Sequence, residues 1–167
     1  HLQPVVGLKL RARHVEDQRV RKRRVTVPIA GVVATAEQRD AHYAFSLNTG
    51  RLRDQWHGAS RTGTLGRLFG HASEPLVELH PSDLTRLRLE AGTLVTLKSR
   101  RGSIVLPVSP SDSVAPAQAF VAMHWGSEFM AGSGVNALTS PAFCPQSKQP
   151  ELKHAAIKLS KADLPWQ

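Results

Sequence analysis

Ser46-Leu47-Asn48-Thr49-Gly50-Arg51-Leu52-Arg53-Asp54-Gln55-Trp56-His57 is the stretch on which the reading of this chain turns. Tyr43, Phe45 and Leu47 alternate with smaller or polar neighbours, and a period of two places them on one face of a strand. At Gly50 the alternation stops. A polar loop follows with two arginines, an aspartate and a Trp-His pair, and Arg61, Thr62, Gly63 and Gly66 come soon after. Glycine lets backbone approach a ligand closely, and arginine grips phosphate through two parallel charged hydrogen bonds. Successive backbone N–H groups in such a turn also form an anion-binding concavity. This chemistry suits an anionic, planar ligand held at the end of a strand.

Further along, short apolar runs recur between turn residues. Pro75 to Leu79 reads as a strand with Val77 and Leu79 inward. A helix then starts with Ser82 as N-cap and Asp83 in its first turn, shows an apolar face of Leu84 and Leu87, and is closed by Gly92. Thr93 to Lys98 and Ser103 to Val108 form a hairpin around Arg100-Arg101-Gly102. Pro110 to Pro116 is a turn-rich connection, Gln118 to Trp125 a strand, Gly126 to Gly134 a small-residue loop, and Ala155 to Leu159 a closing strand. Upstream, Leu8 to Arg13 and Val25 to Ile29 alternate as well, with Pro28 favouring a sheet edge. Many short strands with one or two short helices imply a mainly β barrel. No fixed-period repeat supports a solenoid or propeller. Residues 1–40 read as a strand-rich lead-in and 41–167 as the barrel domain.

A chain of 167 residues suits one domain with a real core rather than two. Because it begins at His1 rather than methionine, it reads as an excised or processed piece. The single cysteine, Cys144, excludes a disulfide framework and suits a reducing, cytoplasmic setting. No apolar run approaches a membrane span, and no signal-peptide pattern opens the chain. A net charge of +9 calls for an acidic partner: nucleic acid, an anionic cofactor or an acidic protein face. Arg19-Val20-Arg21-Lys22-Arg23-Arg24 reads either as a nucleic-acid patch or as a solvated, strand-flanking run. The second is preferred, because no aromatic residue is interleaved with it for base stacking. The histidines show no metal-ligand spacing, no G-x-S-x-G elbow is present, and Gly63-Thr64-Leu65-Gly66 lacks the lysine of a P-loop.

The wording of the loop is more specific than its physics. Asn48 to His57 resembles the signature that opens the C-terminal domain of assimilatory nitrate reductase catalytic subunits, within the DMSO reductase family of molybdopterin oxidoreductases. The likeness continues, in order, through Glu78-Leu79-His80-Pro81-Ser82-Asp83, Ser99-Arg100-Arg101-Gly102, Met123-His124-Trp125, Asn136-Ala137-Leu138-Thr139 and Ser147-Lys148-Gln149-Pro150-Glu151-Leu152-Lys153-His154. It spans Tyr43 to about Leu159. The resemblance implies a double-psi β-barrel with a few short helices that caps a bis-(molybdopterin guanine dinucleotide) molybdenum cofactor. It implies cofactor contacts at Asn48, Thr49, Gly50, Arg51, Leu52, Arg53, Asp54, Gln55, Trp56, His57, Asn136 and Lys153, with Gln149 as a weaker addition. Met123 stands where some relatives have an aromatic near the substrate funnel, although a methionine there also reads as core filler; His124 and Trp125 either line that funnel or simply pack. No catalytic residue and no metal ligand is expected in this chain. By the same resemblance, a 4Fe-4S cluster belongs to preceding domains, the partners are those domains and an electron donor, and the substrate is nitrate. A stand-alone basic barrel binding nucleic acid or a nucleotide-like ligand is the alternative. The sequence departs from the family pattern at Gly58-Ala59-Ser60, where a Thr-containing triplet is usual, and at Cys144, where Asp is usual.

Overall fold

The computed structural model describes residues 34–163. Six strands, β1 (Phe45–Gly50), β2 (Val77–Leu79), β3 (Leu94–Lys98), β4 (Ser103–Pro110), β5 (Gln118–Ala122) and β6 (Ala155–Lys161), close into a barrel in the order β1-β5-β2-β4-β3-β6. β1 runs parallel to β5 and β2 parallel to β4, and the remaining pairs are antiparallel. The fold is the mainly β barrel with few helices that the strand pattern implies, of the double-psi kind that the family resemblance implies. The strands read at Leu8–Arg13 and Val25–Ile29, and the basic run Arg19–Arg24, lie outside the described residues.

Alternation fills the barrel. Phe45 and Leu47, Val77 and Leu79, Val95 and Leu97, Ile104, Leu106 and Val108, Ala119 and Val121, and Ala155 and Ile157 are all buried in one core. Each large aliphatic side chain among them contributes about 1.5–3 kcal/mol of transfer free energy. Small Ala119 and Ala155 face bulky neighbours, which suits the interior of a narrow barrel.

Of the boundaries that differ from the sequence reading, three bear on the local architecture. The helix α1 (Pro81–Leu87) is capped by His80 rather than Ser82: the His80 side chain accepts the Ser82 N–H, and the Ser82 hydroxyl bonds the same ring nitrogen at 2.6 Å. Pro81 sits at the first helical position, where its missing N–H costs nothing, and this moves the start upstream. The helix ends on Arg88 in the left-handed conformation (φ 54°), not on Gly92. Gly92 (φ 82°) instead turns the chain into β3 and donates its N–H to Val108 O. Finally, β5 ends at Ala122, so Met123, His124 and Trp125 leave the sheet as a loop at the barrel's end.

Two polar clamps tie connections to the barrel. Buried Asp83 accepts the Ala117 N–H at 2.7 Å and pairs with Arg86, which joins α1 to the turn before β5. Glu37, ahead of β1, accepts from Arg100 Nη1 (2.6 Å), Arg101 Nη2 (2.8 Å) and the backbone N–H of Ala156 (3.0 Å). Burial alone would raise its carboxyl, but these bonds and the charge of Arg101 bring the pKa down to about 2. No helix of the described residues is long and apolar enough to cross a membrane.

Candidate functional site

Parallel β1 and β5 bring their C-terminal ends to one end of the barrel, and antiparallel β6 begins there. Three separate segments therefore meet. Met123 N–H donates to Gly50 O at 2.9 Å, Thr49 Oγ1 donates to Leu152 O at 2.7 Å, and Lys153 Nζ donates to Thr49 O. Gly50 is required by close packing: a Cβ there would stand 2.8 Å from Phe120 Cε2 and 3.7 Å from Lys153 Nζ. Immediately beyond, Arg51 is exposed. Among the described residues neither Arg51 nor Lys153 has a carboxylate partner, whereas Arg53, Arg86, Arg100 and Arg101 are all ion-paired. Part of the positive excess is thus left available at this end.

The rest of the signature loop divides by role. Arg53 places two nitrogens on Asp54 at 2.8 and 2.7 Å, so its guanidinium orients the aspartate rather than standing free. That pairing also lowers the Asp54 carboxyl. Gln55 is buried, donating to Leu68 O and accepting from Thr62 Oγ1 at 2.6 Å, and it shapes the loop from within. Trp56 is 55% exposed and rests on His57 with ring centroids 4.4 Å apart. His57, Gly58 and Ala59 all have positive φ, a strained run that turns the loop back on itself. The Ser60 hydroxyl closes that turn on His57 O. Leu52 lies in a separate recess with His71, Glu74 and Trp125. Asn48 points to the outer wall of the barrel, into a recess with Glu78, Gln118 and Phe120, where its buried Oδ1 has no hydrogen-bond partner among the described residues. Gln149 is exposed in the turn whose carbonyl accepts the Cys144 N–H.

A recess of about 360 Å³ joins the far end of the signature loop to the downstream motifs, lined by Gly58, Ser60, Met123, His124, Val135 and Asn136 among others. Asn136 arrives on the short 3-10 turn Val135–Ala137. Gly134 (φ 68°) permits that turn, since a Cβ there would run into the Trp125 carbonyl. Arg101 holds the far side of the turn by donating to Leu138 O at 3.1 and 2.8 Å. Met123 is 39% exposed on the recess, so it is not core filler. Trp125 is buried against Phe69 and Phe129. Sequence reasoning missed the parts of Glu37, Arg101 and Phe120, because a charge pair across some sixty positions leaves no local pattern.

These donors fit a dinucleotide. Arg51 and Lys153 suit a pyrophosphate, Gly50 lets backbone come close, and the Asn136 amide suits the edge of a heterocycle. Among the described residues no cluster of three His, Cys, Asp or Glu side chains is placed to hold a metal ion.

A closed barrel with arginine-bearing loops at one strand end has the chemistry to hold an anionic cofactor. The chain belongs to the molydopterin dinucleotide binding domain family, whose model matches residues 45–156. It is 40% identical over 134 residues to a nitrate reductase of Klebsiella oxytoca, an alignment covering 80% of this chain and 15% of that protein. It is 41% identical over 125 residues to a nitrate reductase of Synechocystis sp., covering 75% and 18%. The chain therefore spans less than a fifth of the length of these curated relatives. Among solved structures, acetylene hydratase from Pelobacter acetylenicus shares the fold, with a TM-score of 0.59 at 16% identity over 72% of this chain and 18% of that one.

Proposed function

We propose that this barrel is the C-terminal, dinucleotide-holding domain of a cytoplasmic molybdenum enzyme that reduces nitrate to nitrite in nitrate assimilation. The observation that carries the reading is the meeting of Gly50, Arg51, Met123 and Lys153 at one barrel end, in a chain about 40% identical to nitrate reductases. The remaining domains of the same enzyme complete the site, bring a 4Fe-4S cluster and receive electrons from a donor protein or domain. When bound, the bis-(molybdopterin guanine dinucleotide) molybdenum cofactor supplies the two-electron chemistry.

The chain's own residues bind and orient. Arg51 and Lys153 neutralise phosphate charge, and Lys153, already tied to Thr49 O, keeps its ammonium beside the Gly50 backbone. Asp54, fixed by Arg53, and Asn136 offer hydrogen bonds to ring edges. Asn48, Thr49, Leu52, Gln55, Trp56 and His57 complete the loop's contact surface and shape, and Met123 lines the approach of substrate.

The test is direct. The full-length enzyme is expected to carry molybdenum and guanine nucleotide in a one-to-two ratio and to oxidise a reduced viologen dye with nitrate far faster than with formate-type or other oxyanion substrates. Absence of guanine nucleotide would overturn the cofactor assignment. A loaded enzyme that ignores nitrate would overturn the substrate.

A further inference from the structure

His124 is the most anomalous polar side chain of the described residues. It is only 3% exposed, and neither Nδ1 nor Nε2 has a hydrogen-bond partner there. A buried imidazole with both nitrogens unsatisfied is destabilising, because each polar atom has left water without replacement. His154, in the chain's last motif, shows how the fold treats a histidine that serves structure. Its Nδ1 lies 2.7 Å from Ser46 Oγ and its Nε2 2.8 Å from Glu37 O, so both nitrogens are satisfied. His124 receives no such treatment.

His124 borders the 360 Å³ recess shared with Met123 and Asn136. It follows directly on the segment whose N–H bonds Gly50 O. Behind it, Trp125 is wedged against Phe69 and Phe129, an aromatic wall that fixes the backbone of this loop. Burial first, and then the positive charge of Arg51, hold the imidazole below its ordinary pKa, so it stays neutral. A neutral imidazole carries one N–H donor and one bare acceptor nitrogen. The two nitrogens point to opposite sides of the ring and meet different partners. The N–H serves any acceptor, phosphate included, but the bare nitrogen needs a donor, which a heterocycle edge carries and an ionised phosphate lacks.

We propose that His124 is a further ligand-binding residue of this site, which hydrogen-bonds as a neutral imidazole to the heterocyclic part of the bound dinucleotide. Arg51 and Lys153 hold its phosphates. The inference rests on the dinucleotide reading above and assigns a division of labour within it: charge for the phosphates, a neutral ring for the neutral head.

The experiment uses the full-length enzyme with His124→Phe, which keeps bulk and removes both nitrogens, and His124→Gln, which restores one donor and one acceptor. Molybdenum and guanine nucleotide per polypeptide are measured after dialysis, together with melting temperature with and without cofactor and the Mo(V) electron paramagnetic resonance signal. His124→Phe is expected to lose cofactor about tenfold more readily and to shift the Mo(V) signal. The cofactor-free form should melt no lower than the parent, because an unsatisfied polar group has been removed. His124→Gln should recover most of the retention. Normal retention and an unshifted signal in His124→Phe would overturn the proposal. So would equal destabilisation of the loaded and cofactor-free forms, which would place the partner in protein instead. A parent enzyme without any guanine nucleotide would overturn the dinucleotide reading itself, a separate outcome visible before any variant is made.

Discussion

Arg51→Ala in the full-length enzyme is expected to empty the cofactor site while leaving the fold intact. The side chain is exposed and has no ion-pair partner among the described residues, so its removal costs the domain little. A charge-assisted hydrogen bond to phosphate is worth about 1.5–3 kcal/mol, or roughly ten- to a hundredfold in retention. Lys153→Ala should act in the same direction and more mildly. Its Nζ is shared with Thr49 O, so part of its loss is a loosened strand end rather than a lost phosphate contact. Arg53→Ala should differ from both, because that guanidinium is spent on Asp54 and is largely solvent-exposed. Molybdenum and guanine nucleotide per purified polypeptide, read beside melting temperature, separate these cases. Full occupancy in Arg51→Ala would remove the phosphate role from this residue.

The contrast between Arg51 and Arg53 marks the limit of what the sequence shows. Period-two alternation located five of the strands to within a few residues, because burying one face is a local demand written into each run. It extended β5 through Trp125, where the apolar pattern persists but the chain has already left the sheet to line a recess. The helix start was misplaced by two residues for a comparable reason: Ser is the statistical cap, and the geometry beside Pro81 gives the task to His80. The motifs identified which segments meet. They did not show that Gln55 turns inward to hold the loop, that Asn48 faces the outer wall, or that His124 lacks a partner. Such facts depend on side-chain direction after tertiary packing, for which neither spacing nor residue type is a sufficient guide.

The second large effect is on stability and concerns Glu37. Its carboxylate joins Arg100, Arg101 and the Ala156 N–H, and Arg101 in turn donates to Leu138 O beside the turn that carries Asn136. The segment before β1 is thereby fastened to the hairpin turn, to β6 and, through Arg101, to the recess. Glu37→Gln removes the charge but keeps one acceptor. At neutral pH the variant chain is expected to be less stable by on the order of 2 kcal/mol, a figure reduced from the full linkage value because Arg100 is 40% exposed. The pH dependence gives the sharper test. The carboxyl titrates near 4.5 when unfolded and near 2 when folded, so its contribution is complete above about pH 5. It fades as pH falls toward 2, where the folded carboxyl is protonated as well. Urea unfolding of parent and Glu37→Gln at pH 7, 5 and 3 should therefore give two stability curves that approach each other on acidification. Asp40, Asp54 and the other carboxylates titrate in both proteins and largely cancel in the difference. Curves that stay parallel down to pH 3 would mean that Glu37 holds the segment by shape alone, and the charge clamp would have to be abandoned.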